Sequence, residues 1–202
     1  MISASSLSAK RVQRLGDRRF LSMKRDYLGD SKFWSKFYNK SRSTSSFDWF
    51  IDDKDVLDCI ANDVVRLKPA SVLHIGAGTS KLAEMLHSNL PTSTVLLHTD
   101  LDETAVSVLE ERLELDDKHR ILRDNILDMK VEKGYWDVVV DKGVVDCFVH
   151  SGNDEALKTA LDNIWDAMSP DGWFLMVTND DQVTRENDFM RLGLMSKFDV
   201  PR

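Results

Sequence analysis

Along the chain, short unbroken runs of apolar residues alternate with longer segments in which apolar positions return every three or four residues. Val56, Ile60, Val64 and Leu67 keep a helical spacing that Pro69 stops. "SVLHI" at 71–75 reads as a buried strand that enters a glycine turn, then a helix from about Lys81 to Ser88 with Leu82, Met85 and Leu86 inward. "TVLLHTD" predicts a second strand and "ETAVSVLEERLEL" a second helix; "RILRD" and "WDVVVDKG" predict strands three and four. "DEALKTALDNIWDAM" is strongly periodic and closes at "SPDG", after which "WFLMVTND" is a fifth strand. The stretch 32–51 interleaves aromatic and polar residues without a clean period and reads as a lead-in that packs on a domain; a short helix is expected around 185–194.

Strands that alternate with helices and lack in/out polarity predict an α/β fold with a mostly parallel, doubly wound sheet. Ligands of such sheets bind beyond the carboxyl ends of the strands, so chemistry is expected on the residues that follow each strand.

Composition adds limits. A chain of 202 residues with 42% hydrophobic content suits one domain, and no run approaches the ~18–20 apolar residues of a membrane span. Cys59 and Cys147 lack metal-ligand spacing and read as buried thiols, so no metal is expected. The first 25 residues carry seven basic side chains against Asp17, a net +6, which leaves −13 for the rest of a chain whose formal charge is −7. Arg-rich, Ser-rich and acid-poor, residues 1–30 read as a mitochondrial presequence, with "RRFLS" at 18–22 resembling a matrix-protease cleavage site. A basic arm for nucleic acid is the alternative; the acidic body would repel phosphate backbones, so no nucleic-acid partner is expected. The organisation is then 1–30 arm, 31–55 aromatic lead-in and 56–202 ligand-binding domain.

In "GAGTS", Gly76 and Gly78 permit a tight turn and close approach of a ligand, but Lys81 stands where a dinucleotide fingerprint has its third glycine. Asp100 closes strand two, 22 residues past Gly78, where a carboxylate can accept both ribose hydroxyls of an adenosine, whether of NAD or of S-adenosylmethionine. Asp124, with Asn125 beside it, stands where an acceptor could meet an adenine amino group.

With "FDWF" at 47–50, "GAGTS" at 76–80, "TDLDETAV" at 99–106 and "DKGVVD" at 141–146, the chain resembles the class I S-adenosylmethionine methyltransferases over about Lys32 to Asp181. Within them it is similar to the protein lysine methyltransferase branch that modifies elongation factor 1A or mitochondrial citrate synthase. "FDWF", "GTS" and "NDDQVTRE" are most like the members acting on citrate synthase. The resemblance implies a Rossmann-like methyltransferase sheet, S-adenosylmethionine as cofactor, and a partner protein that bears the target lysine, in the mitochondrial matrix or, alternatively, the cytoplasm. It implies that Gly76 and Gly78 face the cofactor, Asp100 its ribose, Asp124 and Asn125 its adenine, and Trp49 its methionine end.

Asp141, at the end of strand four, is the candidate catalytic residue, orienting the amine; Trp49 and Phe50 could wall the donor. Lys142, Gly143 and Asp146 are expected to shape the loop, Asp146 capping the next turn; Trp34 and Tyr38 read as a hydrophobic latch, and Trp165 and Trp173 as core. The five histidines form no ligand pair by spacing. Two positions depart from the family. His74 stands where many members carry an acid, and the 21 residues after Asp181 lack the alternation of a closing hairpin. The sheet is therefore expected to lack or shorten its last two strands, exposing strand five as an edge. A non-catalytic binding protein with the same fold is the alternative from another class, and a nicotinamide oxidoreductase the remotest.

Overall fold

The parallel sheet runs β3-β2-β1-β4-β5, built from β1 (Ser71–Ile75), β2 (Val95–Asp100), β3 (His119–Arg123), β4 (Trp136–Lys142) and β5 (Met168–Val177). The computed structural model describes residues 28–41, 46–49, 54–178, 180 and 182–192. Most of the expected presequence, and Phe50, lie outside the described residues.

Alternate residues of the central strands feed opposite faces, which makes the sheet doubly wound. Val72, Leu96, Val138 and Val140 pack with Leu57, Ala61 and Val64 of α2 (Lys54–Arg66) and with Leu82 and Leu86 of α3 (Lys81–Asn89). Leu73, Ile75 and Val139 pack on the other face with α5 (Val144–Ser151), α6 (Asp154–Ala167) and Phe189 of α7 (Gln182–Arg191). Leu109 of α4 (Glu103–Arg112) joins Ala77 and Ala83, on the α3 side. The order therefore reverses between β1 and β4, and a crevice opens above that point.

Side chains fix where helices begin. Ser80 accepts from Leu82 N, Asp102 from Thr104 N and Ala105 N, and Asn153 from Ala156 N, each satisfying amides that a first helical turn leaves unpaired. Before Pro69, Lys68 takes a left-handed φ of 50° and turns the chain out of α2.

Several expectations need correction. The lead-in contains a helix, α1 (Ser31–Ser41), whose Trp34, Phe37 and Tyr38 lie at i, i+3 and i+4 and form one aromatic face. Helix α5 follows β4 directly. Trp165 and Trp173 are not core: they are 39% and 47% exposed. Trp173 sits on β5, an edge strand whose burial is mixed, so the apolar run there overstated its burial. Cys59 is exposed and Cys147 half-buried.

The "SPDG" segment lies inside β5. Trp136 pairs with Met168 and Val138 with Trp173, so Ser169–Gly172 bulge between two ladder positions. A Cβ on Gly172 would stand 2.9 Å from the Trp136 carbonyl oxygen and 3.0 Å from that of Ser169. Neither backbone oxygen can yield without losing the bulge. Gly172→Ala is expected to destabilise the fold by about 1–3 kcal/mol, read as a lower denaturation midpoint with an unchanged slope.

Candidate active site

Above the β1–β4 crevice lies a cavity of about 370 Å3, in the range of small-molecule sites. The glycine turn and the tips of β2 and β4 form its base. Trp34 and Tyr38 of α1, with Phe47 and Trp49, wall it from the N-terminal side. All six residues read from the sequence as cofactor contacts, Trp49, Gly76, Gly78, Asp100, Asp124 and Asn125, face this one space.

The glycines are required for a reason that the sequence did not supply. Gly76 and Gly78 have φ of +53° and +57°, which L side chains rarely adopt. A Cβ on Gly76 would fall 2.0 Å from Val144 Cγ2, and one on Gly78 would fall 2.6 Å from the Tyr38 hydroxyl oxygen. The collision is with the protein's own α5 and α1. The bare turn lets these helices close on the sheet, a demand separate from any ligand's.

Asp100 is the best-placed acid. Its Oδ2 accepts from Gly78 N at 2.8 Å and its Oδ1 from Asp102 N at 2.9 Å, which ties the end of β2 to the glycine turn. Burial nevertheless pushes its pKa up to about 6; the amide donors oppose that rise and nearby Asp102 adds to it. A carboxylate still short of solvation after accepting these amides is one that further donors, such as vicinal hydroxyls, would stabilise. Asp124 accepts from Lys130 N at 3.0 Å and from Asn125 N at 2.9 Å, and Asn125 Oδ1 accepts from Leu127 N at 3.0 Å. Both residues hold the loop after β3 in place as well as facing the cavity.

Asp141 binds the start of the helix that follows it. It is fully buried, its Oδ1 accepts from Val144 N at 2.8 Å and its Oδ2 from Val145 N at 3.3 Å. The cavity wall at this point is made by Lys142, Gly143 and Val144. Asp141 thus seats the first turn of α5, next to the part of the chain that lines the cavity. Asp146, expected to cap, is itself buried and accepts from the Thr178 hydroxyl at 2.7 Å; Gly143 is the N-cap residue of α5 and supplies no side chain.

Asp48, inside the "FDWF" motif, is a further buried acid beside the site. Asp48 Oδ1 lies 3.1 Å from Lys142 Nζ, with both side chains buried, and Asp48 also accepts from the Ser80 hydroxyl and from Lys81 N at 3.1 Å. Lys142 Nζ donates to the Trp49 carbonyl at 3.3 Å. The signal was present as an acid and a base, each inside a motif, but nothing in one dimension pairs positions 94 residues apart. Tyr38, read as a latch, is that and more: its hydroxyl reaches the glycine turn.

The histidines do pair, in space. His74 Nδ1 and His98 Nδ1 are 3.0 Å apart on adjacent strands, and the rings of His87 and His119 meet edge-on at 4.8 Å. Burial, then the charge of Lys142, drives the His74 pKa down to about 3; burial and the other histidines hold His98 well below its usual range. Both rings are neutral at pH 7. Burial likewise raises the Tyr38 phenol and the Cys147 thiol, which stay protonated. No cluster of three or more metal-ligating side chains occurs among the described residues.

This arrangement has known counterparts. A family model described as a methyltransferase domain matches residues 73–174, half of the chain and the span from β1 into β5. The mitochondrial citrate synthase-lysine N-methyltransferase of Danio rerio is 23% identical over 75% of this chain and 67% of its own. The protein-lysine N-methyltransferase efm4 of Schizosaccharomyces pombe is 24% identical over 86% and 85%. Among solved structures, Haemonchus contortus phosphoethanolamine N-methyltransferase 2 in complex with S-adenosyl-L-methionine superposes with a TM-score of 0.57 at 16% identity, covering 85% of this chain and 44% of that one. An S-adenosylmethionine-dependent methyltransferase of Clostridium acetobutylicum gives 0.51 at 17% identity, covering 72% and 56%. These structural likenesses concern the fold. The doubly wound sheet, the cavity at its switch point and the family match agree: the chain belongs to the methyltransferase domain family and is an S-adenosylmethionine-dependent methyltransferase.

Proposed function

We propose that the chain is a protein lysine N-methyltransferase whose substrate is a citrate synthase-like protein. The reading is carried by the two protein relatives above: both act on protein lysine, and each aligns over three-quarters or more of this chain. The name of the Danio rerio relative supports the citrate synthase substrate and a mitochondrial site, in line with the basic, serine-rich residues 1–30. On this reading those residues are an address, 31–55 contribute the aromatic wall, and 56–202 form the cofactor-binding unit. The wider coverage of the Schizosaccharomyces pombe protein-lysine N-methyltransferase supports the lysine chemistry without the citrate synthase target, and the motif resemblance makes cytosolic elongation factor 1A the second reading. No helix among the described residues is long and apolar enough to cross a membrane.

The residues fit an adenosyl sulfonium. Asp100 would take the ribose hydroxyls, Asp124 and Asn125 the adenine edge, and Trp49 the methionine end, all around one cavity. When bound, S-adenosylmethionine supplies a methyl group already activated by its sulfonium. The chain's own task is alignment and exclusion of water, for which the aromatic wall and the protonated phenol and thiol are suited. A free lysine has a pKa near ~10.4, and the largely apolar cavity would favour its neutral amine by desolvation.

Three outcomes are expected. Incubation with methyl-labelled S-adenosylmethionine and mitochondrial or cytosolic extract should label a protein of citrate synthase size in the mitochondrial fraction; label confined to cytosolic protein would select the second reading. Hydroxyl donors favour the ionised Asp100. The affinity for S-adenosylhomocysteine should then be full above about pH 6 and fall roughly tenfold per unit below it, whereas Asp100→Asn should bind weakly with a flat profile, both read by calorimetry. Asp141→Ala should lower the melting temperature, at a cost of about 1–3 kcal/mol for orphaned amides at the start of α5.

A further inference from the structure

Lys142 lines the cavity and pairs with Asp48, which stands in the chain between two lining residues, Phe47 and Trp49. The Asp48 carboxylate is wholly buried and the Lys142 side chain 3% exposed, at 3.1 Å from each other. An unpaired charge in such a place is strongly disfavoured, so the two are buried together or not at all. Their remaining partners belong to the surrounding elements. Asp48 is held by Ser80 and Lys81 N at the start of α3, and Lys142 donates to the carbonyl of Trp49, next to Asp48 in the chain. Phe47 N adds bonds to the Thr79 carbonyl at 3.3 Å and to Oγ1 of Thr79 at 3.1 Å. The segment 46–49 is thereby fastened to the glycine turn on one side and to the tip of β4 on the other.

That segment carries aromatic wall of the cavity. The Trp49 ring lies 5.2 Å from Trp34 and 5.4 Å from Phe47, both edge-on, and Phe47 in turn packs edge-on to Phe37 at 4.9 Å. Through these rings the fastening reaches α1, which Ser35 also ties to Asp102 by a 2.6 Å hydrogen bond, so the ion pair acts chiefly on the segment 46–49.

We propose that Asp48 and Lys142 are a pair of positioning residues that lock the segment 46–49, and with it Trp49, over the methyl-donor cavity. The proposal rests on the methyltransferase reading of that cavity. It assigns a shared task to two residues that lie in separate motifs, and neither is a catalytic residue in the sense of touching the reacting atoms. Loss of either side chain removes the 3.1 Å ion pair from a buried place and loosens the segment.

The test uses the full chain and the variants Asp48→Asn, Lys142→Met, the double variant and Lys142→Arg, with melting temperatures to certify folding. Each single variant should weaken S-adenosylhomocysteine at least tenfold and raise KM for S-adenosylmethionine more than it lowers kcat. The double variant should lose no more than the worse single, and Lys142→Arg should keep most of the affinity. Amide hydrogen exchange, which needs no ligand, should show lost protection at 46–49 in both singles and retained protection in Lys142→Arg. Unchanged protection and affinity within twofold of wild type in both singles would overturn the lock. So would strictly additive losses in the double variant. If wild type itself ignores the cofactor product, the functional reading fails while the exchange data still decide the lock. Should a single variant not fold, the Lys142→Arg protection at 46–49 decides, its loss counting against an ionic lock.

Discussion

Each acid around the cavity is held by backbone amides of the turn or helix it adjoins, and the site depends on that pairing. Asp100 grips Gly78 N and Asp102 N, Asp124 grips Lys130 N, Asp141 grips Val144 N and Val145 N, and Asp48 grips Lys81 N. A parallel sheet leaves loops and helix N-termini at its carboxyl edge, with unsatisfied N–H groups crowded there. Carboxylates satisfy those donors and are in turn made tolerable in a buried place. The balance differs among them. At Asp100 burial outweighs the amides and the pKa rises to about 6, whereas both oxygens of Asp141 accept amides from the helix it starts.

That balance explains what could and could not be read along the chain. Strands β1, β2 and β4 announce themselves because burial on both faces selects unbroken apolar runs, and the glycine turn because a left-handed φ selects glycine. Helix α1 hid because its aromatic face is only one turn and a half long and is interleaved with Lys, Ser and Asn. Helix α5 hid because "VVDCFVHS" has the composition of a strand continuing from β4; only the Asp141 grip on two amides and the φ of 94° at Gly143 turn it into a helix. The exposure of Trp173 was illegible for another reason: apolar content says nothing about which edge of the sheet a strand occupies.

At the candidate site, residue types at strand ends picked out one cavity but not what each residue does there. Six cofactor candidates share one cavity, since each strand tip of a doubly wound sheet points toward the switch point. Roles, by contrast, depend on where the hydrogen bonds go. Asp100 and Asp141 lie at the ends of β2 and β4, on either side of β1, yet one lines the cavity and the other binds the start of a helix. Spacing to the next element, two residues for Asp102 and three for Val144, decides which amides are within reach, and no propensity scale carries that information.

His74 shows how the same constraint limits charge. An acid at this point of β1 would need donors, but the neighbour in register on β2 is His98, and the two rings satisfy each other through Nδ1 while remaining neutral. Lys142 lies close enough to depress His74 further, so a protonated ring there would be opposed by both burial and a cation. The β1 tip is therefore held uncharged, the β4 tip carries a cation cancelled by Asp48, and Asp100 at the β2 tip retains the underdonated carboxylate. A ligand that brings hydroxyl donors to one end and a diffuse positive charge toward the aromatic rings at the other matches that distribution, whereas a pyrophosphate would meet Asp100 with like charge.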